Sequence, residues 1–302
     1  RSPMASKSRP TSRSTRSRSS STPSPADSLA SSSSATANST LARLSPAGLA
    51  RYASKGRWKL ARHLAKLNRR LLDVAAGDCK RFMVSMPPRH GKSELDSKYF
   101  PAWYLGLFPD NRVILSAYEA EFAASWGRQA RDVLEEHGPA LFNGLKIKND
   151  SRASDRWDIA GRDGGMNTAG AGGAITGKGA HLLLIDDPIK NAEEAQSKAR
   201  RESIWEWYQS TAYTRLEPGG TIVLTMTRWH EDDLGGRLLK AMEDGGERWE
   251  VLRFDAIAEE ADELGRAPGE ALWPARYDVD RLAEIRSTVG PHVWSALYQQ
   301  RP

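Results

Sequence analysis

Four short apolar runs, each followed by a stretch of helical length, restrict this chain to a narrow set of folds. They are 81–86 (RFMVSM), 112–118 (RVILSAY), 181–187 (HLLLIDD) and 221–227 (TIVLTMT). The third is apolar at consecutive positions, as a strand covered on both faces should be. Between and after the runs, the spacing predicts helices over about 92–107, 119–138, 191–213 and 230–244, with Gly138 stopping the second. Strands alternating with helices form a layered α/β domain around a mostly parallel sheet. Residues 143–181 are glycine-rich and read as irregular. Ahead of the first run, Trp58, Ala61, Leu64, Leu67, Leu71, Leu72 and Ala75 recur at helical spacing. Arg57, Lys59, Arg62, Lys66, Arg69 and Arg70 lie among them, so 57–76 reads as a basic amphipathic helix that Gly77-Asp78 ends.

Charge is distributed unevenly. Residues 1–40 carry six Lys/Arg against Asp27, and residues 41–81 carry eleven against Asp73 and Asp78. These are +5 and +9 in a chain of net +6, which leaves 82–302 at −8. A basic N-terminal region beside an acidic body fits a polyanionic partner such as DNA, and fits solubility equally. Residues 1–40 are Ser, Arg, Thr, Pro and Ala with almost nothing large and apolar, and are expected to be disordered. Cys79 is the single cysteine, which excludes an intramolecular disulfide framework and a cysteine-based zinc cluster. No apolar run approaches the roughly 18 residues of a membrane span, so no membrane partner is expected.

The first run leads into Gly91-Lys92-Ser93 and then a helix. Strand, tight loop and helix, in that order, are what phosphate binding requires. The loop aims N–H groups inward, the helix presents its positive end, and Lys and Ser reach the β/γ phosphates and Mg²⁺. The nucleotide-binding set read here is Pro88, Arg89, His90, Gly91, Lys92, Ser93 and Glu94. Met86 stands where the usual first glycine belongs, and Pro87-Pro88 stiffen the approach, so the loop is a variant. Arg89 within it is suited to stabilise charge developing in phosphoryl transfer. A Gly-Lys-Ser at a helix start also arises by chance.

A working site needs a carboxylate for the metal, and the third run supplies two at its end. Asp186 is expected to hold Mg²⁺ with Ser93. Asp187, one methylene shorter than the glutamate common in hydrolytic NTPases, is expected to orient or deprotonate the attacking water. The alternative is an N-cap pair ahead of Pro188. The fourth run ends in Thr225-Met226-Thr227-Arg228. Thr225, Thr227 and Arg228 are suited to sense the γ-phosphate and pass its loss to the next helix. His230, Asp232 and Asp233 imitate metal ligands, but acids early in a helix commonly serve its dipole.

The segments PPRHGKSE, GAITGKGAHLLLIDDPIKNAEEAQS, YTRLEPGGTIVLTMTRWHEDDLGGRLL and WSALYQQRP together resemble the ATPase half of tailed-phage terminase large subunits, across about 57–302. The resemblance implies a P-loop NTPase of the additional-strand type with a small lid subdomain. Residues 41–260 would form the ATPase core and 261–302 the lid and linker. It implies ATP hydrolysis with Mg²⁺, coupled to moving double-stranded DNA into a procapsid in the bacterial host cytoplasm. Implied partners are the portal protein, the terminase small subunit and further copies in a ring. Lys92 and Ser93 match the Walker A loop with Arg89 as its in-loop arginine. Asp186 ends Walker B, Asp187 takes the catalytic carboxylate position, and Thr225 to Thr227 fall on the coupling motif. A basic residue from a neighbour completes each site in this family. Lys178 is the candidate, with Arg152, Arg156, Arg162 and Arg215 as alternatives. Adenine recognition would fall to the 57–72 helix. No acidic cluster suited to a two-metal nuclease precedes Gln300-Arg301-Pro302, and no nuclease activity is expected of these residues. The competing readings are another P-loop nucleic-acid translocase, or a DNA-binding or assembly module with a vestigial ATPase.

Overall fold

The computed structural model describes residues 37–175 and 179–302. The apolar runs become strands of one eight-stranded sheet: β1 (Arg81–Ser85), β2 (Arg112–Ala117), β3 (Ile147–Arg152), β4 (Arg156–Ile159), β5 (Gly165–Gly170), β6 (Ala180–Asp186), β7 (Leu216–Met226) and β8 (Glu250–Arg253). Their order is β3-β4-β5-β2-β6-β7-β1-β8. From β5 to β8 the neighbours run parallel, while β3 and β4 are antiparallel additions at one edge. An additional strand, β7, therefore lies between β1, which leads into the Gly-Lys-Ser loop, and β6, which ends in the aspartates.

The helices are α1 (Pro46–Ala53), α2 (Arg62–Ala76), α3 (Phe100–Leu107), α4 (Ala120–Leu141), α5 (Ala192–Gln196), α6 (Lys198–Trp207), α7 (Leu234–Glu243) and α8 (Val279–Val293). They cover both faces of the sheet, because successive side chains of a strand point to opposite sides. Leu182 and Leu184 join one cluster with Leu64, Phe100 and Leu134. Leu183 and Ile185 join the other, with Ile204, Trp207 and Leu234. Each face of β6 is thus buried, which explains its uninterrupted apolar run. A third, small cluster gathers Ala256, Ala271, Leu282 and Trp294. It is fastened to α2, where Arg62 donates to the Leu264 carbonyl at 2.9 Å and Lys66 pairs with Glu263. Among the described residues no helix is long and apolar enough to cross a membrane.

Several elements differ from the sequence expectation. Residues 143–181 are not irregular but contain β3, β4 and β5. β3 lacks an alternating apolar pattern because it is a largely exposed edge, and β4, which does alternate Trp157 and Ile159 inward, is only four residues long. Gly165 in β5 lies where a Cβ would come within 2.4 Å of the Trp157 carbonyl, so the glycine serves close strand contact rather than a turn. Gly138 does not stop α4, which continues to Leu141; the glycine is buried against Leu145. The 191–213 helix divides at Ser197, whose hydroxyl caps α6 by accepting from the Arg200 amide. Helix α2 begins at Arg62 rather than 57, and α7 at Leu234 rather than 230, each a turn or so late. Residues 37–40, assigned by sequence to the tail, are helical, and residues 1–36 lie outside the described residues.

Candidate active site

The parallel register brings the two motif strands to one edge. Asp186 pairs with Ala117 on β2 and with Thr225 on β7, and Thr225 pairs in turn with Val84 on β1. Beyond that edge the chain leaves β1 through Met86, which is fully buried in the core. The position of the missing glycine is thus a core position here, and the turn is made later. Arg89 and Gly91 both adopt left-handed backbone, with φ of 63° and 91°. The helix then starts at residue 92, where first-turn amides have no partner within the helix. It widens into a π-helical turn at Glu94–Tyr99 before α3. Such turns interrupt the regular ladder and recur at functional sites.

Lys92 and Ser93 face the twin aspartates directly. The Lys92 ammonium pairs with the Asp187 carboxylate and lies 3.6 Å from Asp186 Oδ1. Ser93 Oγ donates to Asp186 Oδ1 at 3.0 Å. Ser97, one turn later on the same helix face, lies 2.9 Å from Asp186 Oδ2 and 3.1 Å from Asp96 Oδ1. Thr225 Oγ1 donates to Asp96 Oδ2 at 2.5 Å. The Thr227 amide donates to Asp187 Oδ1 at 2.7 Å, and the Asp187 amide donates to the Thr225 carbonyl at 2.8 Å. Asp187 itself sits in left-handed backbone at φ 44°. Aspartate tolerates that region better than most residues.

The electrostatics follow from this crowding. Burial alone pulls the Lys92 pKa down, but Asp187 and Asp186 outweigh it and hold the ammonium charged above its ordinary range. Burial pushes the Asp186 carboxyl up against the pull of Lys92, and pushes Asp96 well up, with the Asp186 charge adding to the effect. Ser97 has one hydroxyl proton to offer two carboxylates, so the trio is best satisfied with a proton on Asp96.

A sequence model for the family described as terminase large subunit, T4likevirus type, N-terminal, matches residues 83–295. This chain belongs to that family. An ATPase-domain mutant of the Thermus phage P74-26 large terminase shares its fold at 14% identity with a TM-score of 0.51, covering 82% of this chain and 95% of that one. The ATPase domain of the same phage enzyme matches at 12% identity and a TM-score of 0.51, covering 76% and 92%. The HK97 bacteriophage large terminase aligns at 15% identity and a TM-score of 0.49, over 76% of this chain and 49% of its own. The chain thus spans about half the length of that terminase. No curated protein matches the chain.

Within this terminase chain the other expected site residues are placed variously. Arg89 is exposed and has no hydrogen-bond or ion-pair partner among the described residues. His90 is buried under the loop. Its Nδ1–H donates to the Pro88 carbonyl at 2.9 Å, its own carbonyl accepts from His63 Nε2 at 2.8 Å, and its ring stacks on Tyr277. Glu94 is exposed on the wall of a cavity of about 520 Å³ that opens beside Gly91. Arg57, Trp58, Lys98, Trp273 and Arg276 line the same cavity. Arg228 turns away from the aspartates and pairs with Asp233 at 2.8 Å, while Asp233 caps α7 by accepting from the Gly236 amide. Lys178 lies outside the described residues. Of its alternatives, Arg152 pairs with Glu135 and Arg162 with Asp110, whereas Arg156 is exposed and the buried Nε of Arg215 has no partner among the described residues.

Two pairs of residues went unread in the sequence. Asp96 and Ser97 belong to ELDSKYF, where no local pattern marks them off from the other polar residues of the helix start. Trp273 and Arg276 come from a segment far along the chain that only the tertiary fold returns to the loop.

The set suits a magnesium–nucleotide pair. Ser93 and Asp186 offer hard oxygen donors at one point, and among the described residues no cluster of three or more His, Cys, Asp or Glu side chains is suited to hold a metal alone. Magnesium is characteristically bound by one or two carboxylates together with substrate phosphates rather than by an all-protein cage.

Proposed function

We propose that this chain is the ATPase motor portion of a terminase large subunit, hydrolysing ATP to move double-stranded DNA into a procapsid. The observation that carries the reading is the convergence of Lys92 and Ser93 with Asp186 and Asp187 across an inserted strand. In this reading Lys92 exchanges the Asp187 carboxylate for the β/γ phosphates when nucleotide binds. Ser93 and Asp186 would hold Mg²⁺, which would neutralise phosphate charge. Asp187, freed from Lys92 but still held by the Thr227 amide, takes the proton of the attacking water or orients it. Arg89, exposed on the loop and without a partner among the described residues, turns onto the transferring phosphoryl group. The base and ribose occupy the cavity between Arg57-Trp58 and Trp273-Arg276, where aromatic and guanidinium faces suit a purine. The phosphate signal passes from Thr225 and Thr227 through Arg228 and its partner Asp233 into α7.

A neighbour in a ring supplies the remaining cation. Lys178 stays the candidate, and Arg156 and Arg215 are favoured over Arg152 and Arg162, whose guanidiniums are already paired with acids. The portal, the procapsid and a small subunit are the partners this reading implies.

ATP turnover with and without double-stranded DNA tests it. Lys92→Ala and Asp187→Asn should each lower kcat by about a hundredfold or more, the usual cost of losing a group that stabilises or activates at the reacting centre. Asp187→Asn should retain nucleotide binding. Unchanged turnover in Lys92→Ala would leave a DNA-binding module as the better reading.

A further inference from the structure

Asp96 takes part in none of the steps above, yet it is 1% exposed and joins three parts of the site. It lies on the π-helical turn that follows the phosphate loop. One carboxylate oxygen accepts the Thr225 hydroxyl of β7, and the other contacts Ser97, which also contacts Asp186 of β6. Thr225 in turn offers its carbonyl to the Asp187 amide, where the backbone is left-handed. Asp96 thus reaches Asp186 through one hydroxyl and Asp187 through one threonine. An acid so deeply buried is costly unless hydrogen-bonded, and both of its oxygens are.

We infer that Asp96 is a positioning residue for hydrolysis, fixing the phosphate-loop helix to β7 so that Asp186 and Asp187 keep the spacing that metal and water require. The inference rests on the ATPase reading of the same site. An apolar residue of similar size fills the space but leaves Thr225 and Ser97 to choose other partners, and both aspartates loosen. Displacing reacting groups by about 1 Å can cost on the order of a hundredfold in rate. Binding is affected much less, because Lys92, the loop amides and the base cavity are untouched.

Asp96→Leu, Asp96→Asn, Thr225→Val and the Asp96→Leu/Thr225→Val double variant test this, alongside Lys92→Ala. Kinetics of ATP turnover are read together with binding of a fluorescent ATP analogue, below each variant's melting temperature. Asp96→Leu should lose at least about tenfold in kcat with analogue affinity within about threefold of wild type. Asparagine can accept from Thr225 and donate to Ser97, so Asp96→Asn should recover kcat to within about threefold. Thr225→Val should mimic Asp96→Leu, and the double variant should be no slower than the slower single one. Three results would each overturn the inference: kcat of Asp96→Leu within twofold of wild type, losses that multiply in the double variant, or equal loss of binding and turnover. Should Asp96→Leu fail to fold, Asp96→Asn and Thr225→Val decide: near-normal turnover in Thr225→Val, or a tenfold loss in Asp96→Asn, overturns it. Lys92→Ala as active as wild type would instead sink the ATPase reading itself.

Discussion

His63 and His90 show how individual side chains in this site are tuned by what surrounds them. Both rings are buried, and each uses one nitrogen as a donor, His63 Nε2 to the His90 carbonyl and His90 Nδ1 to the Pro88 carbonyl. Among the described residues the second nitrogen of each has no hydrogen-bond partner, which a neutral ring tolerates as an unused lone pair and a charged ring does not. Burial lowers both pKa values from 6.5 to about 4, helped by the Arg266 cation at both rings and by Arg276 at His90. The unfolded chain therefore binds protons between pH 6.5 and 4 that the folded chain refuses. The stability from these rings is complete above pH 6.5 and is lost as pH falls toward 4, at up to about 1.4 kcal/mol per pH unit for each ring. His63→Gln keeps a donor for the His90 carbonyl but cannot titrate. Chemical denaturation from pH 7 to 5 should show a shallower loss of stability in that variant than in the wild type. Equal slopes would mean that His63 does not resist protonation.

Strands and helices differed in how far the sequence disclosed them, and the difference is physical. β6 was plain because both its faces are buried, so its apolar residues are consecutive. The loop residues and twin aspartates were plain because each group directly ends an apolar run, where a Gly-Lys-Ser and paired acids stand out. β3 to β5 were hidden because an exposed edge strand such as β3 has no reason to alternate, and because Gly165 imitates a turn while serving close packing. Asp96 was hidden because a polar residue on a helix normally faces water, and nothing local says that it faces Thr225. The segment around the third cluster was legible as a lid and linker only through the family resemblance. Its Arg266–Asp262 pair, with side chains 2% and 4% exposed, is an internal support that no pattern announces. Arg266 also donates to the Asp255 and Glu270 carbonyls. Arg266→Ala would leave Asp262 buried without its cation and the Asp255 and Glu270 carbonyls without their donor. The expected loss is about 3–5 kcal/mol, read as a lower denaturation midpoint with hydrogen exchange rising first in 255–298. A loss below about 1 kcal/mol would show the pair to be incidental.

Charge across the chain separates the basic N-terminal region from the acidic remainder, but its cations are not all available to a polyanion. Arg62, Lys66, Arg70 and Arg81 are engaged within the chain, with the Leu264 carbonyl, Glu263, Asp73 and Glu247 respectively. Arg62 and Lys66 of α2 therefore brace the segment at Glu263 and Leu264, while Arg70 pairs with Asp73 and Glu250. On the motor reading, residues 1–40 contribute to DNA binding alongside the remaining cations of 41–81. Removing residues 1–40 should make the dependence of DNA affinity on salt shallower, by about 0.9 log unit per log unit of salt for each phosphate that the tail neutralises. An unchanged slope would take the tail out of DNA binding. The claim on which all of this turns is that one magnesium-bound triphosphate lies between the phosphate loop and the end of β6. The most direct measurement is a structure determined with a non-hydrolysable ATP analogue and Mg²⁺. The expected result is an ion about 2.1 Å from Ser93 Oγ and coordinated directly or through water by Asp186, with Lys92 moved from Asp187 to the phosphates. Nucleotide bound elsewhere, or Lys92 still locked to Asp187 with no ion beside Ser93, would contradict it.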